Sequence, residues 1–151
     1  MAEVTIQVYI DLVSRERDGS FVLTLIEEGP WETDAIQANL GLLAKRICDC
    51  VTAVVNGQIA MRYPACAGQS IAIQVNSFET PREQVQILLD QLSQQFSQSQ
   101  DIQAQLGDGH FAQSITLRQE WIDWATVIAA QSPNKTGQSF WRRVVSRIRG
   151  G

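Results

Sequence analysis

The chain is poor in the residues that build metal centres and disulfide frameworks: its 151 residues include three cysteines and one histidine. An odd cysteine count cannot found a disulfide framework, and a single histidine excludes a His-rich metal centre. No apolar run approaches the ~20 residues a membrane-spanning helix needs; residues 124–130 are among the longest and stop far short. Residues 1–3 carry no basic patch, and residues 4–12 are interrupted by Thr5, Gln7 and Asp11. No secretory leader is therefore expected, and the default compartment is the cytoplasm, where thiols stay reduced. A net charge of −4 argues against wholesale coating of nucleic acid. Also missing is any motif that sets a nucleophile beside a base. What is present is an ordinary globular composition, 44% hydrophobic and 19% charged, which excludes a wholly disordered chain.

Hydrophobic periodicity divides the chain. Val4, Ile6, Val8, Ile10 and Leu12 alternate with polar residues, as do Phe21, Leu23 and Leu25 beyond the charged turn at Asp18-Gly19. Both read as strands, near 4–13 and 20–27, joined as a hairpin. Ile36, Leu40, Leu43, Ile47, Cys50, Val51 and Val54 fall on one helical stripe. They predict a helix over 33–56 with Thr33 as N-cap and Asn56-Gly57 as its stop. Two further strands are expected near 58–63 and 70–76. Thr80-Pro81-Arg82-Glu83 has the form of a capping box opening a helix over 81–96, with Leu89 on its buried side. The expected fold class is α+β: a β-β-α-β-β-α domain with a mostly antiparallel four-stranded sheet and both helices on one face. Residues 1–97 form the domain and residues 98–113 a polar Gln/Gly-rich linker. Residues 114–151 form a C-terminal helical extension, in which Leu117, Trp121, Trp124 and Ile128 share a stripe.

Ile10-Asp11, Trp31, Leu42 with Lys45, Gly57-Gln58, Tyr63-Pro64 and Gly68 occur in an order and spacing of their own. In these features residues 10–92 resemble a bacterial family of small α+β domains of unknown function. The resemblance implies that fold and no known activity. The chain departs from the pattern at Asp49-Cys50, where an aromatic residue is usual, and in its long C-terminal extension.

Candidate sites follow from residue chemistry. Cys48, Cys50, Cys66 and His110 are zinc-ligand types. However, Cys48 and Cys50 lie ~160° apart around a helix and cannot meet at one ion, so no metal and no cofactor is expected. His110 beside Asp108 has no nucleophile placed with it. Tyr9 and Asp11, on the polar side of the first strand, could line an acidic sheet face with Glu27 and Glu28. A carboxylate-lined enzyme site there is the least favoured reading.

The clearest feature is charge segregation. Residues 1–134 hold 16 acids against 7 bases, leaving −9, whereas residues 135–151 hold five bases and no acid. Around a helical wheel, Phe140, Trp141, Val144, Val145 and Ile148 fill one arc, and Arg142, Arg143, Arg147 and Arg149 the opposite one. Trp141 and these arginines are the candidate binding residues. The leading expectation is a non-catalytic bacterial domain for protein–protein interaction, of an accessory or immunity type, with a protein partner or a second copy of itself. The alternative is an anionic membrane surface or nucleic acid held through the basic helix.

Overall fold

The computed structural model describes residues 8–107 and 111–121. His110, Trp124 and the basic arc with Trp141 lie outside the described residues. Strand β1 (Leu12–Arg15) turns back into β2 (Phe21–Glu28), followed by α1 (Ile36–Val55), a short α2 (Gln58–Arg62) and β3 (Ser70–Phe78). Helices α3 (Arg82–Gln98) and α4 (Gln100–Gly107) then lead to β4 (Ser114–Trp121). The β1–β2 turn is fastened by Asp18, whose carboxylate accepts the Ser20 N–H at 2.9 Å and its hydroxyl at 2.6 Å. Those bonds hold the Asp18 carboxyl below its ordinary value.

The sheet runs β1-β2-β3-β4, with β1–β2 antiparallel and both other pairs parallel. It is therefore mixed, not mostly antiparallel. The reason is the connections: β2 reaches β3, and β3 reaches β4, through helical crossovers that return the chain in the same direction. Such crossovers are right-handed, and because the strand order advances one way, they stack their helices on one face. Leu23, Leu25, Ile71, Ile73 and Val75 accordingly form one cluster with Leu43, Ile47, Cys50 and Val54 of α1 and Val85, Leu89 and Leu92 of α3. Each fully buried leucine there contributes roughly 1.5–3 kcal/mol.

Two expected elements change type. Residues 58–62 are helical, not a strand. Gly57 takes φ +88, and the Asn56 carboxamide oxygen accepts the Gln58 N–H at 2.9 Å, so the chain re-enters a helix directly after α1. The alternation of Ile59, Met61 and Tyr63 is too short to separate the two periods; in the helix Ile59 is buried and Met61 is 79% exposed. Residues 114–121, expected on a helix, form β4 along the edge of β3. Ile115 and Leu117 alternate with Thr116 and Arg118, and pairing with a waiting edge overrides helix propensity. The segment read as linker contains α4, whose Ile102 and Leu106 pack on the core.

Helix starts also differ. Thr33 begins a 3-10 turn (Thr33–Ala35) instead of capping α1, whose N-cap is Ala35 without a side-chain bond. The Thr80 capping box does not form: α3 is entered from Pro81, and the Thr80 hydroxyl is buried without a hydrogen-bond partner.

Candidate interaction site

The edge of the sheet beside β1 is held by one guanidinium. Arg46, midway along α1, donates from Nε and Nη2 to the Tyr9 carbonyl at 3.1 and 3.0 Å. Its Nη2 also donates to Asp11 Oδ2 at 2.7 Å, and its Nη1 to the Ile26 carbonyl at 3.3 Å and Glu27 Oε1 at 3.2 Å. The same Asp11 oxygen accepts the Ile26 N–H at 2.7 Å. A side-chain carboxylate thus stands where a strand carbonyl would sit, and Arg46 binds the result to the helix layer. Burial raises the Glu27 carboxyl above its ordinary value, against the opposing pull of Arg46; the Asp11 charge raises it further.

This geometry distributes the residues expected to form an acidic sheet face. Asp11 and Glu27 meet, but on Arg46 rather than around an open groove. Tyr9 contributes its carbonyl, and the residue is 66% exposed. Glu28, one residue beyond Glu27, takes the opposite side of β2 by strand alternation and is exposed. Arg46 went unnoticed as a site residue because its acceptors lie 19 to 37 positions away in the chain, a separation no local pattern reports.

Beside the Arg46 cluster opens a cleft of about 490 Å³. One wall is Val8, Tyr9, Ile10 and Asp11; the other is Gln58, Ile59, Arg62 and Tyr63 from α2 and its end. The Arg62 guanidinium lies 5.7 Å from the centre of the Tyr63 ring, a cation–π arrangement. Met61 stands exposed on the same short helix. The wall residues include no cysteine, serine or histidine, and their one carboxylate is engaged by Arg46. Among the described residues the cleft presents rings, a guanidinium and an aliphatic floor, and no nucleophile paired with a base.

A second groove of about 400 Å³ runs between α1 and α3, lined by Gln37, Leu40, Gly41, Ala44, Gln84, Ile87, Leu88 and Gln91. Among the described residues its lining includes no ionisable side chain. Two of the thiols belong to the interior, where burial pushes Cys50 up to about 12 and Cys66 up to about 11; partial burial also raises Cys48. Such thiols stay protonated and poorly nucleophilic near neutral pH. Among the described residues, no group of three or more His, Cys, Asp or Glu is placed to hold a metal ion, and no helix is long and apolar enough to cross a membrane.

A model of a family of unknown function, DUF6572, matches residues 3–107, well over half the chain. The chain belongs to the DUF6572 family. No curated protein and no solved structure matches it. The DUF6572 match takes in the Arg46 cluster and both grooves and ends before β4. Features that carried the sequence resemblance converge here. Ile10-Asp11, from the approach to β1, and Gln58 and Tyr63, from α2 and its end, line one cleft, and Gly57 shapes the turn that presents α2 to it.

Proposed function

We propose that this DUF6572 chain is a non-catalytic protein–protein interaction domain and that the cleft between residues 8–11 and α2 is where a partner docks. The observation that carries the reading is the convergence of Ile10, Asp11, Gln58 and Tyr63 on one cleft, alongside exposed Met61 and Tyr9 and the Arg62–Tyr63 stack. Tyr, Arg and Met are the residue types enriched at interfaces, and Tyr and Arg dominate their energetics. The Arg46 cluster supports this by fixing the wall that carries Tyr9 and Asp11, since a preorganised surface loses less entropy on binding. The accessory or immunity-type role in a bacterial cytoplasm is the setting in which such a domain works.

The test is affinity purification of the tagged full chain at native expression. One protein should be retained in near-equal amount by the unaltered chain and lost from Arg62→Glu and Met61→Asp variants that melt normally. Failure to retain any partner, together with turnover of a compound in a metabolite screen, overturns the reading.

Charge segregation favours a second reading, in which Arg142, Arg143, Arg147 and Arg149 hold an anionic lipid surface or nucleic acid. Binding to anionic vesicles or duplex DNA that weakens steeply with salt and vanishes when these four become glutamine is its signature.

A further inference from the structure

Glycine inside a helix destabilises it relative to alanine, because it loses more backbone freedom on folding and brings no side chain to pack. Gly41 nonetheless lies well inside α1. Its backbone is ordinary helix, not one of the left-handed positions. A Cβ there would meet no atom within 4 Å beyond the neighbouring turns of its own helix. Gly29 and Gly57 differ, since a Cβ at those positions would collide with the Glu79 backbone and the Phe111 ring. Packing within the described fold therefore accounts for those two and not for Gly41. What Gly41 leaves is an opening. With Leu40 and Ala44 it floors the α1 side of the groove of about 400 Å³, and Ile87 and Leu88 form the α3 side. Positions 37, 40, 41 and 44 and positions 84, 87, 88 and 91 share one spacing, so each helix offers a single stripe to the groove. Ile87 is 55% exposed, whereas Leu40, Ala44 and Leu88 are half-buried. A protruding isoleucine thus stands across from a glycine-lined hollow on the same patch.

We propose that the α1–α3 groove is the interface of a symmetric homodimer, in which Ile87 of each copy enters the hollow at Gly41 of the other. The first argument is shape. A two-fold contact presses one patch against itself, so that patch must carry both knob and hole, and this one does. The second argument is charge. Residues 1–134 hold 16 acids against 7 bases, so two copies repel each other across much of their surface. That repulsion is weakest at the groove, whose lining is uncharged. The charges beside it are engaged along their own helices: Lys45 pairs with Asp49 at 2.8 Å, and Asp90 accepts from Gln86 at 3.0 Å. The third argument is the polar rim, made of Gln37, Gln84 and Gln91, all exposed. A carboxamide both donates and accepts, so glutamine pairs with its own copy across a two-fold axis, as a lone acid or base does not. A partner selected by charge would need acids or bases at this rim, and the lining supplies none. The groove shares no lining residue with the cleft beside residues 8–11, and this inference does not rest on the reading of that cleft.

The experiment is sedimentation velocity of the full chain over about a hundredfold range of concentration, beside Gly41→Leu and Ile87→Glu. A single copy has room for both changes, because a Cβ at Gly41 meets no neighbour and Ile87 is exposed. The parent should sediment as a dimer at the upper end of that range, with nothing larger. Gly41→Leu fills the hollow, and Ile87→Glu carries a carboxylate from each copy into it. Each should weaken the dimer about tenfold or more while keeping the helical circular dichroism of the parent. A parent that stays monomeric throughout, assemblies that grow beyond the dimer, or a dimer that persists unchanged in either variant overturns the proposal. So does loss of helical signal in Gly41→Leu, which would show the groove already filled from within its own chain.

Discussion

On the helix-covered face of the sheet, Leu23, Ile73 and Val75 meet leucines and valines of α1 and α3, and burial is complete. On the other face the same strands present Thr24, Gln74 and Asn76, and β4 adds Arg118 and Glu120. There the contacts are polar: Arg118 Nε donates to Gln74 Oε1 at 2.7 Å, while Gln74 Nε2 donates to Asn76 at 2.7 Å and to Glu120 at 3.1 Å. One face is sealed by close packing of aliphatic groups, which is insensitive to salt and tolerates no lost volume. The other combines a buried apolar corner at Leu12 and Val22 with a part-buried polar network centred on Gln74 across β3 and β4. The difference teaches that one face is held by filled volume and the other by directed polar bonds between neighbouring strands.

Paired substitutions sharpen that contrast, and the largest effect belongs to the leucines. Leu43→Ala, on the helix-covered side, should cost about 2–5 kcal/mol in urea unfolding, the usual range for a buried leucine. Leu12→Ala, on the side of the sheet away from α1 and α3, should cost about 2 kcal/mol, at the low end of that range. A Leu12→Ala cost near zero would mean that corner is not covered as its burial implies. Gly57→Ala comes next. Its φ of +88 disfavours a side chain, and a Cβ would stand 2.7 Å from the Phe111 ring, so a loss of about 1–3 kcal/mol is expected. A variant as stable as the parent would show that α2 enters by another turn.

The arginines form the third pair. Arg46→Met strands the Tyr9 and Ile26 carbonyls and two carboxylates, and should cost about 1–3 kcal/mol. Arg118→Met removes an ion pair whose partners are both well exposed and one bond to Gln74, and should cost about 1 kcal/mol. Equal losses from the two would erase the distinction between a clamp and a surface network.

The smallest effect is on pH dependence. Because the Glu27 carboxyl is raised in the folded state, the native chain binds that proton more tightly than the unfolded chain does. Its contribution is therefore fully present at low pH and declines as pH rises from the ordinary value of 4.5 through the raised one. Unfolding curves for Glu27→Gln, set beside the parent across that interval, should lack this decline. A variant that keeps it assigns the titration to another group.

The helices were legible because their signal is local. Leu43, Ile47 and Val54 recur at the helical period over about three turns, and α1 forms within a few residues of where that stripe predicts; Leu89 and Leu92 do the same for α3. Residues 58–62 and 114–121 were misread because five to eight residues carry too little periodicity to choose between helix and strand. Asp11 and Glu27 stood out as acids, yet the arginine they share did not, since nothing along the chain brings residue 46 to residues 9, 11 and 27.

By itself, the sequence determined the hydrophobic stripes, the turn at Asp18-Gly19, the stop at Asn56-Gly57 and the segregation of charge, each a matter of side-chain type and short-range spacing. Tertiary structure alone decided that the sheet is mixed, that β4 completes it and that Arg46 gathers two carboxylates and two carbonyls. It alone decided, too, that Ile10, Gln58 and Tyr63 share a cleft. Strand direction follows from crossovers and an edge waiting to be paired, and convergence follows from packing across tens of residues. Both are properties of distance in space, which spacing along the chain does not encode.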